Sequence, residues 1–132
     1  MNPADEPRFL TRELVLRIHH HSLAEHGGMD GIRDNGAIES ALAAGQNEWF
    51  YRQADMFGIA AAYAYHMAES QAFLDGNKRT AIVSALFFLA ANGIDGVPNQ
   101  EKLYEAMIAV ANRELDKAGL AVILRKQFPV SQ

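Results

Sequence analysis

Two apolar stretches decide the fold: DMFGIAAAYAYHMAES (residues 55–70) and NKRTAIVSALFFLAAN (residues 77–92). Each is apolar on nearly every side over about four helical turns, which is typical of a helix buried in the middle of a protein. The small alanines of the first stretch allow neighbouring helices to pack closely against it. Gly93 ends the second stretch, because glycine readily adopts the left-handed conformation that follows a helix. We therefore predict two central helices joined by a polar loop.

Amphipathic segments lie on both sides of this pair. Thr11 begins a first helix that stops at Gly27 and Gly28, and a second, short helix begins near Ala37 and ends near Gly45. Two further helices follow Asn99 and Asp116. No run alternates as a strand does. The prediction is an all-α domain of about six helices. An aromatic cluster, formed by Trp49, Phe50 and Tyr51, is predicted to pack in its core; the alternative is that it lines the entrance to the polar loop.

Composition limits the class of protein. The 132 residues, 49% of them hydrophobic, predict a single domain over residues 1–132, in which residues 1–8 form a short frayed lead. The chain has no cysteine, which excludes disulfide scaffolds and thiol catalysis and fits a cytoplasmic location. Twelve basic against sixteen acidic residues argue against direct nucleic-acid binding. The longest nearly apolar run, residues 81–91, is well short of the ~20 residues that cross a bilayer, so we expect no membrane partner.

The loop and the start of the helix after it, QAFLDGNKRT (residues 71–80), carry unusual charges. Gly76 and Asn77 open a helix N-terminus, where free N–H groups attract anions. Lys78 and Arg79 have the wrong sign for that end of a helix unless an anion lies between them. Asp75 is placed to hold Mg²⁺ beside phosphate oxygens. The alternative is that Asp75 simply caps the helix and its neighbours are solvated. The stretch lacks the spacing of a P-loop.

The residues Phe73-Leu74-Asp75-Gly76-Asn77-Lys78-Arg79 closely resemble the core motif HxFx[DE]GN[GK]R of the Fic/Doc family, and specifically its Doc (death-on-curing) toxin branch. The resemblance covers roughly residues 9–126. It includes the Gly27-Gly28 turn, the segment from Gly31 to Asp34, and the Glu114-Leu115-Asp116 sequence. It implies a single Fic-fold helical domain in which two buried helices flank the motif.

The resemblance also implies roles for the matching positions. Asp75 would help to hold Mg²⁺. The backbone of Gly76 and Asn77, together with the Asn77 side chain, would cradle the phosphates of ATP. Lys78 and Arg79 would bind the phosphates and stabilise the transferring group. Members that transfer nucleotides carry a Gly and a later second Arg, where this chain has Lys78 and Ile82. The departure favours transfer of the γ-phosphoryl group to a Ser or Thr hydroxyl over transfer of AMP, which remains an alternative.

The first motif position departs from the family pattern. Gln71 stands where the motif has the histidine that serves as general base, and Ala72 follows it. His66 lies about 140° around a helix from position 71, so it does not share that face. Losing a general base typically costs 10²- to 10⁴-fold in rate. Phosphoryl transfer depends mainly on positioning and charge stabilisation, so Gln71 is predicted to orient the hydroxyl without taking its proton.

Because no histidine follows His66, we expect the pH dependence of the rate to show no step from the ionisation of an imidazole. The alternative is an inactive protein that binds nucleotide or antitoxin.

Two partners are implied by the resemblance. One is a cognate antitoxin whose disordered tail folds on the toxin, and the first helix and the Trp49 region are the predicted contact. The other is a protein substrate in translation, typically an elongation factor.

Three consecutive histidines, His19 to His21, point about 100° apart on a helix and do not suit a single metal ion.

Overall fold

The computed structural model describes residues 5–128, and these form six α-helices. In chain order they are α1 (Arg12–His26), α2 (Asn35–Arg52), α3 (Met56–Ser70), α4 (Asn77–Ala91), α5 (Gln100–Ala111) and α6 (Lys117–Lys126). Over the described range the chain forms no strand; a single isolated bridge joins Ile32 and Phe73. The predicted all-α class and the six helices are confirmed. Residues 1–4 of the predicted lead lie outside the described range.

Helix α3 is the centre of the molecule and contacts α2, α4, α5 and α6. Its alanines, Ala60 to Ala62, are fully buried, and α4, which packs against it, buries Ala81, Ala85 and Phe88. The small side chains of α3 allow four neighbouring helices to pack closely around it. The two most apolar segments, α3 and α4, therefore form the core, as predicted. The loop between them is therefore anchored at both ends by buried helices. None of the helices in residues 5–128 is long and apolar enough to cross a membrane.

Helix α2 corrects one prediction. It does not end near Gly45 but continues to Arg52, and Gly45 lies buried inside it. A Cβ atom at Gly45 would come within 2.3–2.6 Å of three ring carbons of Tyr63 on α3. The glycine therefore serves the close packing of two helices and is not a helix end.

The aromatic cluster corrects a second prediction. Trp49 is half-buried, but Phe50 and Tyr51 are 52% and 82% exposed on the last turn of α2. Because α2 is longer than predicted, these three residues occupy successive helical positions and point in different directions. Only Trp49 packs against the core, and the cluster does not line the motif loop.

Candidate active site

A cleft of about 470 Å³ opens over the motif loop between α3 and α4. All six site residues predicted from the sequence line it: Gln71, Asp75, Gly76, Asn77, Lys78 and Arg79. The opposite wall comes from the end of α1, through Ser22, His26, Gly27 and Gly28, and Tyr104 of α5 closes one side. The fold thus brings the predicted residues together in one concave site.

The N-terminus of α4 differs from the other helix starts. Thr11, Asp34, Asp55, Asn99 and Asp116 each cap their helix by accepting a hydrogen bond from its first turn. Within residues 5–128, no side chain caps α4, and Gly76 precedes it in the left-handed conformation at φ 81°. The alternative in which Asp75 caps the helix is therefore wrong. The first-turn N–H groups of α4 lie at the cleft, where an anion can accept from them.

Asn77 holds the loop in shape. Its Oδ1 accepts from the N–H of Phe73 at 3.0 Å, and its Nδ2 donates to the carbonyl of Phe73 at 2.9 Å. Both polar atoms of the side chain are thus engaged by the backbone. This corrects the expectation that the Asn77 side chain cradles a phosphate, and it leaves the main-chain N–H of Asn77 as the group that an anion could meet.

Asp75 presents a carboxylate at the edge of the cleft. Its Oδ2 accepts from the N–H of Met29 at 2.7 Å, which fixes the orientation of the side chain. No group of three or more potential metal-ligating side chains occurs in the described part of the chain. A Mg²⁺ ion at Asp75 would therefore complete its coordination with phosphate oxygens and water, which is how Mg²⁺ usually binds.

Lys78 and Arg79 place two positive charges beside the uncapped helix end, and both are half-buried. The guanidinium carbon of Arg79 lies 4.7 Å from the centroid of the Tyr104 ring. The ring attracts a cation placed over its face, so Tyr104 helps to hold the guanidinium of Arg79 in position. Tyr104 is a site residue that the sequence analysis missed, because its position on an amphipathic helix gives no sign of this contact.

Gln71 ends α3 in the left-handed conformation, at φ 51°, and its side chain is exposed in the cleft. A non-glycine residue in this region costs on the order of 1 kcal/mol. Arg33 stabilises this turn: its Nε donates to the carbonyl of Gln71 and its Nη2 to that of Ser70, both at 2.7 Å. Arg33 was part of the family-like frame in the sequence, but nothing there assigned it this contact.

The segment containing Arg33 also braces the motif loop through its backbone. Leu74 N–H donates to the carbonyl of Gly31 at 3.0 Å, and Arg33 N–H donates to the carbonyl of Ala72 at 2.7 Å. Gly31 has φ 141°, and a Cβ atom there would lie 2.7 Å from a methyl carbon of Leu74. The loop is therefore held on one side by the turn before α2 and on the other by α4.

Histidines reach the site from α1. His26 lines the cleft, and His19 lies beneath the loop, where its ring stacks on Phe73. The sequence gives no sign of an imidazole here, because no histidine follows His66 and both of these residues lie far before the motif. His66 is not among the residues lining the cleft. Burial, and then the positive charge of Lys117, lower the pKa of His66.

Comparison with known proteins agrees with this geometry. A sequence model of the Fic/DOC family matches residues 9–89. The protein named "Protein kinase doc", from Escherichia phage P1, is 30% identical over 122 residues, which cover 92% of this chain and 96% of that protein. "Toxin Doc" from Mycolicibacterium smegmatis is 32% identical over 127 residues, covering 88% of this chain and 90% of that protein.

Proposed function

The chain belongs to the Fic/DOC family, and on that premise we propose that it is a Doc-like toxin that transfers the γ-phosphoryl group of ATP to a Ser or Thr hydroxyl of a protein in translation. The observation that carries the proposal is the uncapped start of α4, with Gly76 at the cleft and Lys78 and Arg79 beside it. Polyphosphate is the ligand whose charge and oxygen acceptors match this arrangement. One curated relative is named a protein kinase and the other a toxin.

Each group of residues in the cleft has its own role in such a transfer. The N–H groups of the first turn of α4 bind phosphate oxygens, and Lys78 and Arg79 stabilise the charge that develops on the transferring group. Asp75 would hold Mg²⁺, which neutralises phosphate charge when bound. The acceptor oxygen bonds to the γ-phosphorus, the bond to the bridging oxygen breaks, and ADP leaves. Gln71 orients the hydroxyl, whose proton passes to solvent or phosphate, because an amide does not take it.

Two features favour a protein acceptor and phosphoryl transfer. Met29, Ile32 and Leu74 are exposed apolar side chains on the two segments that meet at the motif loop, and an exposed apolar cluster is typical of a protein contact. Lys78 and Ile82 stand where members that transfer nucleotides have Gly and a second Arg.

The second candidate is a protein that binds nucleotide or antitoxin without transfer activity. The observation that favours it is Gln71, which replaces the motif histidine.

The proposed toxin also needs a partner that restrains it, a cognate antitoxin with a tail that folds on binding. An exposed apolar strip suits such a tail: Phe50 and Tyr51 are exposed beside Trp49, and the ring of Phe9 lies 5.9 Å from that of Phe50. We expect Phe50→Ala and Trp49→Ala to weaken the complex in a binding titration, with Val122→Ala, at an exposed site on α6, as the control. Unchanged affinity in all three variants would place the antitoxin elsewhere.

The direct test uses ATP labelled separately on the γ- and α-phosphates, with cell lysate and purified elongation factors as acceptors. The proposal expects protein label from γ-labelled ATP alone. Label from the α-phosphate would mean AMP transfer, and label from neither would leave the second candidate.

Lys78→Ala tests the phosphate site itself. Losing a charge-assisted contact to phosphate should weaken ATP binding and transfer about ten- to a hundredfold. Lys102→Ala removes an exposed lysine of α5 outside the cleft and is the matched control. Equal ATP affinity in the two variants would contradict the assignment of α4 as the phosphate site.

A further inference from the structure

We propose that His19 is a positioning residue that fixes the peptide plane between Asp75 and Gly76, so that the N–H of Gly76 points into the phosphate site. The inference rests on the proposed function, because it concerns how that site binds phosphate. It assigns a task to an imidazole of α1 that lies 56 residues before the loop in sequence.

The contacts of His19 are specific to the motif loop. Its Nε2 lies 2.8 Å from the carbonyl oxygen of Asp75. Its ring is stacked on that of Phe73, with the centroids 3.7 Å apart and an interplanar angle of 9°. The side chain is almost fully buried, with 3% of the residue exposed. A buried imidazole held by a stacked ring on one side has little freedom, so the donor at Nε2 is fixed in direction.

The chemistry of the contact determines the proton on His19. A carbonyl oxygen only accepts hydrogen bonds, so Nε2 must carry the proton and donate. Such a bond forms with the neutral imidazole, and the contact therefore does not depend on charging the ring.

The contact decides where Gly76 can donate. In a trans peptide the C=O and the following N–H point in opposite directions. Because the oxygen of Asp75 is held at the His19 ring, the N–H of Gly76 points away from that ring, and Gly76 itself lines the cleft. Without the donor on His19, this peptide can rotate and present its oxygen to the phosphate instead of its N–H.

Glycine at position 76 makes that rotation accessible. Its φ of 81° is open to glycine at no steric cost, and other conformations are equally open to it. The imidazole packs directly against this residue: a Cβ atom at Gly76 would lie 3.5 Å from Cδ2 of His19. The flexible position in the loop is therefore also the one against which His19 lies.

The test compares His19→Phe, which keeps an aromatic ring on Phe73 but has no donor, with His19→Gln, which keeps an N–H donor. His20→Phe, at the exposed neighbouring position on α1, is the control. Each variant is assayed for KM and kcat with Mg²⁺-ATP and for thermal stability. The amide resonance of Gly76 is followed by NMR with and without Mg²⁺-ATP.

His19→Phe should raise KM for ATP about tenfold or more, with a smaller change in kcat, because the Gly76 N–H that His19 orients binds phosphate in both ground and transition states. The Gly76 amide should respond to ATP in the wild type and in His20→Phe, and much less in His19→Phe. His19→Gln should recover part of the affinity, and it decides the question alone if His19→Phe does not fold.

Two results would overturn the proposal in distinguishable ways. If folded His19→Phe binds ATP as the wild type does and Gly76 still responds, His19 has no positioning role while the phosphate site stands. The same conclusion follows if folded His19→Gln loses all affinity, because the donor is then not what matters. If Gly76 of the wild type does not respond to ATP, the phosphate site and the role of His19 both fall.

Discussion

Gln71 is the residue on which the rate of the proposed transfer depends most. It occupies the first motif position, and its left-handed backbone is held by Arg33. Histidine tolerates this conformation better than most residues do, so the backbone itself does not exclude a histidine. In the proposed transfer, the side chain at position 71 decides only whether the acceptor hydroxyl meets a group that orients it or one that also takes its proton.

Gln71→His should therefore raise the rate of transfer, by about a hundredfold if a general base is what the site lacks. Gln53→His is the matched control, because Gln53 ends α2 in the same left-handed conformation, at φ 52°, and does not line the cleft. The measurement is the initial rate of label transfer from γ-labelled ATP, together with growth inhibition on expression. No rise in either would mean that position 71 does not limit the rate.

The pH dependence of the wild-type rate gives a second check on Gln71. We expect no step near pH 6.5, where imidazoles commonly titrate, if no histidine acts as base. His26 lines the cleft, next to Glu25 on α1 and across from Lys78 and Arg79. A step that disappears in His26→Gln would identify His26 as the base and contradict the role given to Gln71.

At the scale of elements, the packing of α2 on α3 depends on Gly45. In an exposed helix Gly→Ala stabilises by about 0.5–1 kcal/mol, but here the added Cβ meets the Tyr63 ring. We expect Gly45→Ala to lower the free energy of unfolding by about 2 kcal/mol or more, because overpacking outweighs helix propensity.

Urea unfolding measures this effect, and Gly36→Ala is the control, since Gly36 is exposed near the start of the same helix. Gly36→Ala should leave stability unchanged or raise it by up to about 1 kcal/mol. If both variants were equally stable, α2 and α3 would not approach as closely as the structure has them.

At the scale of the whole molecule, Tyr63, a fully buried tyrosine of α3, joins distant parts of the chain. Its ring packs on Gly45 and tilts against Phe88 of α4, and its hydroxyl accepts from the N–H of Leu10 at 3.2 Å. Burial raises the pKa of Tyr63 to about 12, although the hydrogen bond from Leu10 acts in the opposite direction. One residue thus connects the N-terminal segment with three of the six helices.

This raised pKa predicts a loss of stability at alkaline pH. Unfolded tyrosine ionises near pH 10, so the contribution of Tyr63 is complete below pH 10 and is lost as the pH rises toward 12. The difference amounts to about 1.4 kcal/mol of unfolding free energy at pH 11. Tyr63→Phe should remove this fall, although it lowers stability at neutral pH by about 1 kcal/mol or more, because Leu10 loses its acceptor.

Urea unfolding at pH 8 and pH 11 tests the assignment, with Tyr51→Phe, at an exposed tyrosine, as the control. The control should show the same alkaline fall as the wild type. A fall of equal size in Tyr63→Phe would mean that other groups cause it.

The sequence by itself determined the helical class, five of the six helix starts, and the group of residues at the motif loop. These depend on signals within a few positions of one another: apolar periodicity, the capping residues Thr11 and Asp116, and a glycine before two cations. It also predicted the central place of α3 and α4, because helices that are apolar all round must be buried.

Only the tertiary structure decided which distant residues complete the site. The contact of His19 with the Asp75 carbonyl, the hold of Arg33 on the end of α3 and the place of Tyr104 beside Arg79 each join separate elements. In the sequence, Gly45 has the local pattern of a helix end, and only its contact with the ring of Tyr63 shows that it is a packing residue. Phe50 and Tyr51 have the pattern of core residues, and only the full length of α2 shows that they are exposed. Local patterns report on neighbours in the chain, whereas these contacts depend on how six helices pack in space.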